Sequence, residues 1–501
     1  MTVNERDKKN FVNSYVRALN NSRAAIFAGA GVSIPSGGIS WSDLLREEAE
    51  SIGLDISKEN DLISVAQYIY NESGTKQTIT NLLKNKIARE GKINENHEII
   101  RSLPIRKIWT TNYDDFLEKA YLDANKVIDV KKSIEDMATE IDFSETTIYK
   151  MHGDIGIPSS TVLLKDDYEI YDKKNELFTK TLQTDLLSNT FLFIGFSFDD
   201  PNLESILSKV RIMLEGNPRR HYCLLKKISE SDPEFDQFDD PKEKVRELEY
   251  RINKQRLRVA DLLRYGIKAI LVDSYGEMTQ LLDAIKRKYL STKVFVSGAY
   301  EEVDNFLGKT GGDALKQADK FCEKLGEVLF TEGFEISSGF GLGVGRNVVT
   351  GVLIQESLLN HTRAGSQLVI RPFPTQQTVP EKSAYRKKIL SECGVTICVF
   401  GNKKVSGGNE LQNSPGVEEE AKIAGELGQL VLPIGSTGYV AKKIWEDQLG
   451  KITTTFSENP KLLESYNNLN NPNQSIDQLI DDILNILKEY RTNPERFKIV
   501  Q

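Results

Sequence analysis

The residues of this chain best suited to chemistry are an amide, a carboxylate and an imidazole. Asn112 and Asp114 lie in the segment TTNYDDFLEKA, Thr110 to Ala120, and His152 lies in the short motif MHGD. An amide can hold a hydroxyl group or a water molecule, and an imidazole titrates near neutral pH and can take a proton. This set suits substitution at a sugar carbon, where a leaving group departs through an oxocarbenium-like state and a positioned water attacks. A strand-end histidine satisfied by the backbone is the alternative for His152.

Two common reaction classes find no support in the sequence. No Ser-His-Asp or Cys-His order is visible, so covalent acyl transfer is not indicated. The phosphate-binding pattern GxxxxGK[ST] is also missing from the sequence, which argues against phosphoryl transfer driven by ATP. The combination of Asn112, Asp114 and His152 therefore favours cleavage at a sugar carbon.

Four apolar runs predict the strands that would position these groups. They span Ala24 to Phe27, residues 106–112, residues 146–151 and Phe191 to Ile194. Each run ends in glycine, amide, imidazole or hydroxyl groups. Because the carboxyl ends of parallel strands open into the ligand crevice of an α/β sheet, we expect these groups to meet at one edge.

Two of the four strand ends are glycine-rich turns. One is Gly29-Ala30-Gly31 followed by Val32-Ser33, and the other is Gly195-Phe196-Ser197. Glycine lets the backbone approach a pyrophosphate, which then meets the positive end of the following helix. A tight turn without a ligand explains a lone GxG equally well. The agreement of four strand ends is what favours a binding site.

Length and composition place the chain among globular proteins of two to three domains. Its 501 residues exceed one ordinary core, and 39% of them are hydrophobic and 28% charged. A net charge of -8 argues against a DNA or RNA coat, since nonspecific nucleic-acid binding needs a basic surface. The N-terminus lacks the apolar core of a signal peptide, and no apolar run reaches the roughly 18 residues of a membrane span. The sequence predicts a cytoplasmic protein with no membrane or nucleic-acid partner.

The cysteines predict neither a disulfide framework nor a zinc site. They stand at positions 223, 322, 393 and 398, and no two of them form a CxxC pair. A four-cysteine zinc site would need paired short spacings, and disulfides do not suit a protein of the cytoplasm. We therefore expect four buried free thiols and no metal.

A second alternating series of strands and helices begins near residue 292 and predicts a second parallel sheet with its own crevice. The densely charged stretch before it, residues 226–258, is typical of a solvated insertion that ends in a surface helix. The boundary falls near Leu290 to Thr292. We expect two α/β domains with parallel sheets flanked by helices, over residues 1–288 and 291–501.

The second domain carries candidate ligand groups of its own. A phosphate cradle is predicted from the glycines of SSGFGLGVG, which are Gly339, Gly341, Gly343 and Gly345. Arg371 and Arg386, with Lys387 nearby, supply positive charge for a doubly phosphorylated ligand. Glu420 can accept ribose hydroxyls. An ordinary solvated helix face is the alternative for residues 386–388.

The first domain resembles the catalytic domain of the sirtuin (SIR2-like) family. The motifs GAGVS at 29–33, TTNYDDFL at 110–117, MHGD at 151–154 and GFSFDDPNL at 195–203 occur in the family's order and approximate spacing. The resemblance covers about residues 10–285. It implies that the first glycine turn and Ser33 bind NAD+, that Asn112 and Asp114 act at the nicotinamide ribose, and that His152 is the base. The NAD+ contacts that the resemblance implies are Gly29, Ala30, Gly31 and Ser33, with Gly195 and Ser197 on the adenosine side.

Two departures from the sirtuin pattern affect the expected reaction. Deacylating sirtuins usually carry a four-cysteine zinc module and a GIPDFR-like run after the first glycine turn. Here that run reads IPSGGISWSDL, without the Phe-Arg pair and without zinc cysteines. The departures favour simple cleavage of the nicotinamide bond, with water in place of the acyl-lysine oxygen.

The second domain resembles the SLOG family of Rossmann-like nucleotide-sensing domains over about residues 291–501. The resemblance rests on SSGFGLGVG, on RPFP and GVEEE, and on VSGAY, which contains Ser297 and Gly298. It implies that these two residues bind a nucleotide together with the four glycines, Arg371, Arg386, Lys387 and Glu420. The fold expected for the chain is thus a Rossmann-like SIR2 domain followed by a Rossmann-like SLOG domain.

This domain order resembles the NADase effectors of Thoeris, a bacterial anti-phage defence system. The resemblance implies that a TIR-domain partner makes a cyclic ADP-ribose isomer and that the SLOG domain binds it. The SIR2 domain then hydrolyses NAD+ to ADP-ribose and nicotinamide, and NAD+ depletion arrests the infected cell. It also implies a homo-oligomer, a tetramer or larger, assembled through the SIR2 domains. The alternatives are a sirtuin-type NAD-dependent protein deacylase and a non-catalytic nucleotide sensor.

Overall fold

The computed structural model describes residues 3–38, 40–59, 61–87, 91–157, 160–198, 200–217, 219–359, 367–373, 376, 378–405 and 410–497. The chain divides into two compact units, Met1–Lys286 and Arg287–Gln501. This division lies a few residues before the boundary predicted near Leu290. Lys288 lies on the second-unit side of this division and donates to the backbone carbonyls of Arg491 and Thr492.

The sheet of the first unit has seven strands within the described residues, all paired in parallel in the order β3-β4-β2-β1-β5-β6-β7. The strands are β1 Ala24–Ala28, β2 Lys107–Thr110, β3 Ile128–Lys131, β4 Thr146–Lys150, β5 Thr190–Ile194, β6 His221–Lys226 and β7 Ile267–Val272. The four apolar runs predict β1, β2, β4 and β5, and the short run IKAILVD, Ile267 to Asp273, predicts β7. The sequence misses β3 and β6. In β3 the charged pair Asp129 and Lys131 interrupts the apolar pattern. The strand β6 begins with His221 and ends with Lys226.

Helices pack around this sheet. They are α1 Val3–Asn20, α2 Ala30–Ser33, α3 Trp41–Ser51, α4 Leu62–Ser73, α5 Gln77–Ile87, α6 Glu95–Ser102, α7 Phe116–Asp123, α8 Lys165–Glu169, α9 Tyr171–Lys174, α10 Glu176–Ser188, α11 Pro201–Met213, α12 Pro241–Arg264 and α13 Tyr275–Leu290. The predicted apolar stripe of α4 is buried at Val65, Ala66 and Ile69. The surface helix expected within the charged insertion is α12, which has 24 residues.

The centre of the first sheet is apolar on both faces. All five residues of β1 are buried, and Phe27 stacks on Phe193 of β5 with ring centroids 5.3 Å apart. Burying a side chain of this size contributes about 1.5–3 kcal/mol, so these strands form a rigid base for the turns that follow them. The chain leaves β1 towards β2 and leaves β5 towards β6, on opposite sides. The topological switch point, where ligands bind in such sheets, therefore lies between β1 and β5.

The second unit contains a parallel sheet of five strands within the described residues, in the order β12-β11-β8-β13-β16. Its strands are β8 Lys293–Ala299, β11 Glu335–Ser338, β12 Leu368–Ile370, β13 Val395–Phe400 and β16 Leu430–Pro433. Two small antiparallel hairpins accompany it, β9 Asn305–Phe306 with β10 Lys309–Thr310, and β14 Asn402–Lys404 with β15 Leu411–Asn413. The switch point of this sheet lies between β8 and β13. The run SQLVIRPFP, residues 366–374, predicts a strand, of which Leu368–Ile370 form β12 and the two end residues lie outside the described residues.

The helices of the second unit are α14 Gly311–Thr331, α15 Val344–Leu359, α16 Val379–Leu390, α17 Pro415–Glu426, α18 Tyr439–Thr455, α19 Pro460–Asn468 and α20 Ile476–Thr492. A capping box starts α20, since Ser475 and Gln478 exchange side-chain and backbone hydrogen bonds. The expected α/β class, with parallel sheets flanked by helices, is confirmed. None of the described helices has both the length and the apolar character needed to cross a membrane.

The four cysteines are free and buried, as the sequence predicts. Burial raises the pKa of the Cys223 and Cys393 thiols to about 12 and raises that of the Cys322 and Cys398 thiols further. These thiols are therefore protonated and inert near neutral pH.

Candidate functional site

The turns after β1 and β5 touch each other through glycine. Gly29 N donates to Ile194 O and Gly31 N donates to Gly195 O, both at 2.9 Å. Gly195 has a φ of +63°, and a Cβ there would lie 2.5 Å from Val32 N. A Cβ on Gly31 would lie 2.7 Å from Gly195 Cα. The glycines predicted to admit a ligand are thus also required for the contact between the two turns.

Asn112 ties the turn after β2 to the turn after β1. Its Nδ2 donates to Gly29 O and to Ser33 Oγ, each at 3.1 Å, and the side chain is buried. Thr110 reinforces the link, because its hydroxyl donates to Ala28 O at 2.9 Å and accepts from Asn112 N at 3.0 Å. The structure therefore brings Asn112, Gly29 and Ser33 together, whereas Ala30 between them is exposed.

The two carboxylates after Asn112 have different environments. Burial raises the pKa of Asp114 above its ordinary value, although the charge of Lys150 and a hydrogen bond from Ser33 oppose the rise. Asp114 also accepts from Phe116 N at 3.3 Å at the start of α7. Asp115 is exposed and pairs with Lys119 at 2.9 Å. Only Asp114 is therefore placed beside Asn112 and Ser33.

His152 is buried and faces a carboxylate that the sequence analysis does not select. Its Nε2 lies 3.1 Å from Asp200 Oδ2, with the geometry of an ion pair rather than of an aligned hydrogen bond. The edges of the Tyr168 and Tyr171 rings enclose the imidazole, with centroids 5.5 Å and 6.1 Å away. The glycine of the His-Gly motif is also required here, because Gly153 has a φ of +80° and a Cβ would lie 2.4 Å from Ser160 O.

Asp200 is held in place by the helix that it begins. It is the N-cap of α11, and its Oδ1 accepts from Leu203 N at 2.9 Å. Burial pushes the pKa of Asp200 upwards, but the charge of His152 and the backbone amides of Leu203 and Asn202 outweigh this and keep its pKa below the ordinary value. The sequence signal was the Asp-Pro pair of GFSFDDPNL, since aspartate before proline is typical of a helix start.

The turn after β5 also contacts α12. Ser197 is exposed, and its carbonyl accepts from Arg258 Nη2 at 2.8 Å. Phe198 follows with a φ of +63°, a conformation that is uncommon outside glycine. Arg258 is a second residue that the sequence analysis misses, because it lies in the charged stretch interpreted as solvated. The structure places this cation beside Ser197, on the side predicted for adenosine.

In the second unit the glycine loop folds over the end of β8. A Cβ on Gly341 would lie 2.3 Å from Gly298 O, and a Cβ on Gly298 would lie 2.4 Å from Val399 O. Gly339 and Gly343 pack on the rings of Phe373 and Tyr300, and Gly345 packs on the backbone of Phe340. The loop therefore lies at the predicted crevice of this sheet, above its switch point.

Glu420 is the centre of a buried polar cluster at the same edge. It accepts from Ser297 Oγ at 2.5 Å and from Arg386 Nε at 3.3 Å, while Arg386 Nη1 donates to Glu419 at 2.6 Å. Burial raises the pKa of Glu420, against the opposing effects of Ser297 and Arg386. The guanidinium also lies over the Phe373 ring, 4.9 Å from its centroid. The charge of Arg386 is thus already balanced by two carboxylates.

Arg371 and Lys387 are the exposed cations of this region. Arg371 follows β12, and its N donates to Ser338 O at 2.9 Å, which places it next to the start of the glycine loop. Its guanidinium lies 3.5 Å from Glu392 and is 47% exposed. Lys387 is exposed on α16, as expected for a solvated helix face. Arg371 is therefore an accessible cation that the fold places beside the start of the loop.

No three His, Cys, Asp or Glu side chains gather as a metal site would require, within the part of the chain that the structure describes. The candidate site of the first unit thus consists of an amide, a hydroxyl, two partly buried carboxylates and an imidazole. These are groups that act by hydrogen bonding and proton transfer.

Fold and site together define an SIR2-like domain joined to a SLOG domain. Residues 106–250 match the model of the SIR2-like domain, and residues 277–490 match the Sir2- and TIR-associating SLOG family, abbreviated STALD. The chain is 38% identical to the NAD(+) hydrolase ThsA of Cytobacillus dafuensis over 97% of both chains. It is 39% identical to that of Bacillus cereus (strain MSX-D12), over 95% of this chain and 97% of the relative. It is 42% identical to that of Enterococcus faecium, over 90% and 92%.

The chain belongs to the NAD(+) hydrolase ThsA family. The SIR2-like and SLOG resemblances are therefore confirmed, and so is the enzyme class expected from the sequence, at the level of the family. The comparisons identify the family, whereas the roles of individual residues are argued from the geometry of the site.

Proposed function

We propose that the first unit hydrolyses NAD+ to ADP-ribose and nicotinamide, with Asn112, Asp114 and His152 as its catalytic residues. The observation that carries the proposal is the pair of hydrogen bonds from Asn112 to Gly29 and Ser33. They join the turn predicted to hold NAD+ to the turn predicted to act on its ribose, beside the switch point of the sheet. The names of the relatives support the same substrate.

The reaction breaks the bond between the ribose C1′ and the nicotinamide nitrogen. The electron pair of this bond goes to the positively charged ring, which leaves as neutral nicotinamide, and positive charge develops on the ribose. Asp114 is partly buried beside Asn112 and suits the ribose hydroxyls or the developing charge. Asn112 orients a ribose hydroxyl or the attacking water. Water forms the new C1′–O bond and loses one proton, so the products are ADP-ribose, nicotinamide and H+.

His152 is the group proposed to take that proton. A buried imidazole beside a carboxylate is oriented by it, and the carboxylate stabilises the imidazolium that forms. Asp200 meets this description at 3.1 Å. Its cap on α11 fixes the carboxylate, and Tyr168 and Tyr171 fix the ring from the other sides. Asp200 thus acts on the reaction through His152.

The second unit is proposed to bind the signal, a cyclic ADP-ribose isomer made by a TIR-domain partner protein. Support comes from the glycine loop over β8, from Arg371 at its start, and from the Ser297–Glu420–Arg386 cluster. Glycine amides and Arg371 suit phosphates, and Glu420 suits ribose hydroxyls. The signal must bind the active arrangement more tightly than the resting one, because equal affinity would shift no population.

In the cell, this activity would deplete NAD+ during phage infection and arrest the infected cell. We propose that the chain acts in the cytoplasm as a homo-oligomer, a tetramer or larger assembled through the SIR2 units. The absence of a zinc module from the sequence favours hydrolysis over deacylation of a protein.

The test is nicotinamide release from NAD+ by the purified chain, with and without cyclic ADP-ribose isomers. We expect release that rises with one isomer and is abolished in Asn112→Ala and His152→Ala, while both variants still bind that isomer. Turnover retained in either variant would refute the catalytic assignment. An assay with NAD+ and an acetylated peptide separates the deacylase alternative, and isomer binding without any turnover would indicate a sensor.

A further inference from the structure

Lys150 is a fully buried lysine beside the proposed catalytic turns. It is the last residue of β4, two positions before His152, and its relative exposure is 0%. Its Nζ lies 3.0 Å from Glu118 Oε1 and 2.6 Å from Asp154 Oδ2. A buried ammonium group is tolerated only when it is paired and hydrogen-bonded, and these two carboxylates meet that requirement. The sequence offers no reason for the charge in an otherwise uncharged strand.

The same ammonium group binds the backbone of the neighbouring turn. It donates to Asp114 O at 2.5 Å and to Tyr113 O at 3.3 Å. These carbonyls directly follow Asn112, in the turn after β2. Tyr113 O also accepts from Ile155 N at 3.4 Å, from the loop that follows His152. Lys150 therefore lies where the two turns meet.

We propose that Lys150 is a positioning residue for NAD+ hydrolysis, which fixes the Asn112–Asp114 turn relative to the His152 turn. The inference rests on the proposed function of the first unit. An ammonium group has three donors and no acceptor, so it can bind two backbone carbonyls while its charge is balanced by Glu118 and Asp154. An apolar side chain of the same length would fill the space but would remove the lysine donor from both carbonyls, leaving Tyr113 O with Ile155 N alone. The distance between the amide and the imidazole then depends on Lys150.

The edge strand β3 offers a matched control. Lys131 ends β3 as Lys150 ends β4, and it is 4% exposed and pairs with the buried Asp129 at 2.8 Å. The Lys131–Asp129 pair lies in the same sheet, and neither of its residues contacts the Asn112 turn in the hydrogen bonds and ion pairs of the described residues. Replacing both residues therefore measures how the loss of a buried ion pair away from the Asn112 turn affects stability and activity.

The variants to compare are Lys150→Met with Glu118→Gln, and Lys131→Met with Asp129→Asn. The first double substitution leaves no unpaired carboxylate, because Asp154 keeps Lys132 at 3.2 Å. We expect similar losses in melting temperature. We expect kcat for nicotinamide release to fall about 100-fold in the first variant, the effect of a catalytic group misplaced by roughly 1 Å, with a smaller change in KM. In the control variant kcat should stay within a factor of about three.

Hydrogen exchange tests the role of Lys150 without a measurement of turnover. Hydrogen exchange should quicken in residues 111–116 and 151–157 of the Lys150 variant and not in those segments of the control variant. Equal kcat in the two variants, or unchanged exchange in both segments, would overturn the role of Lys150. Failure of the wild-type chain to release nicotinamide with any isomer would instead refute the proposed function, and the exchange data would still decide whether Lys150 joins the turns.

Discussion

The imidazole of His152 and the carboxylate of Asp200 lie 3.1 Å apart, although 48 positions of sequence, 152 to 200, separate them. The contact joins the turn after β4 to the N-cap of α11. The two oxygens of Asp200 have different partners, because Oδ2 faces the histidine and Oδ1 caps the helix. One carboxylate therefore couples the position of the proposed base to the position of a helix.

Asp200→Asn should separate these two roles. Asparagine is as good an N-cap as aspartate, so the melting temperature should change little. The amide cannot stabilise an imidazolium, so we expect kcat for nicotinamide release to fall about 10- to 100-fold, with NAD+ KM nearly unchanged. Steady-state kinetics over a range of pH measure the effect. Asp172→Asn, at an exposed carboxylate paired with Lys209, is the control. Full activity of Asp200→Asn would contradict the role assigned to the contact.

Gly195→Ala should abolish hydrolysis, and Gly216→Ala supplies the comparison. Both glycines have positive φ, +63° and +81°, so both substitutions carry a backbone cost of about 1 kcal/mol. Only at Gly195 would the new Cβ meet another turn, 2.5 Å from Val32 N, whereas nothing lies within 4 Å of it at Gly216. We expect loss of NAD+ binding, measured by calorimetry, in Gly195→Ala alone. Equal behaviour of the two variants would show that the turn contact is dispensable.

Arg371→Ala should uncouple activation from the signal. Its guanidinium is accessible beside the glycine loop, so its loss should weaken binding of the activating isomer at least 10-fold, as expected for a charge-assisted contact to phosphate. Titration of the isomer against nicotinamide release measures the shift. Lys422→Ala removes another exposed cation, on α17, and should behave as wild type. Normal activation of Arg371→Ala would refute this part of the signal site.

The stability of the first unit should fall as the pH drops below about 6.5. Burial lowers the pKa of His97 to about 4 and that of His221 to about 3. The unfolded chain binds these protons more readily, so the stabilisation is complete above pH 6.5 and is lost as the pH falls towards the folded pKa values. At pH 5 we expect the free energy of unfolding in urea to be lower by roughly 2 kcal/mol per histidine than at pH 7.

His97→Gln tests this assignment. The Nδ1 of His97 accepts from Asn94 N at 3.2 Å, and a glutamine oxygen can accept the same bond without titrating. Between pH 7 and pH 5 the variant should therefore lose the part of the pH dependence of the free energy of unfolding that comes from His97. A pH dependence equal to that of wild type would show that the proton is bound elsewhere.

The sequence predicts the strand ends well because their chemistry is local. Runs such as Phe191 to Ile194 are continuously apolar, as strands buried on both faces are, and the glycine, amide and imidazole groups directly follow them. The two missed strands, β3 and β6, carry charges or histidine that are satisfied only by tertiary partners. Asp129 and Lys131 pair with each other, and His221 accepts from Phe191 N. No periodicity reveals such partners.

The partners of the site residues could not be predicted from the sequence, for a related reason. Asp200, Lys150 and Arg258 each contact another turn, at His152, the Asp114 carbonyl and the Ser197 carbonyl, which lie 48, 36 and 61 positions away in the sequence. The helix-start signal predicts that Asp200 is an N-cap, but it does not predict the contact with His152. Lys150 lies in a strand where an apolar residue is the expectation, and only the convergence of two carboxylates and two carbonyls explains its charge. Arg258 looks like one more cation of a solvated helix.

The four cysteines leave the surface free of native thiols that a labelling reagent could modify. All four are buried, and their raised pKa values keep them protonated. A single cysteine introduced at an exposed position, such as Lys422 in the second unit or Lys119 in the first, would therefore carry a maleimide dye selectively. Fluorescence from each position, followed during addition of a nucleotide, would record which unit responds first and how quickly.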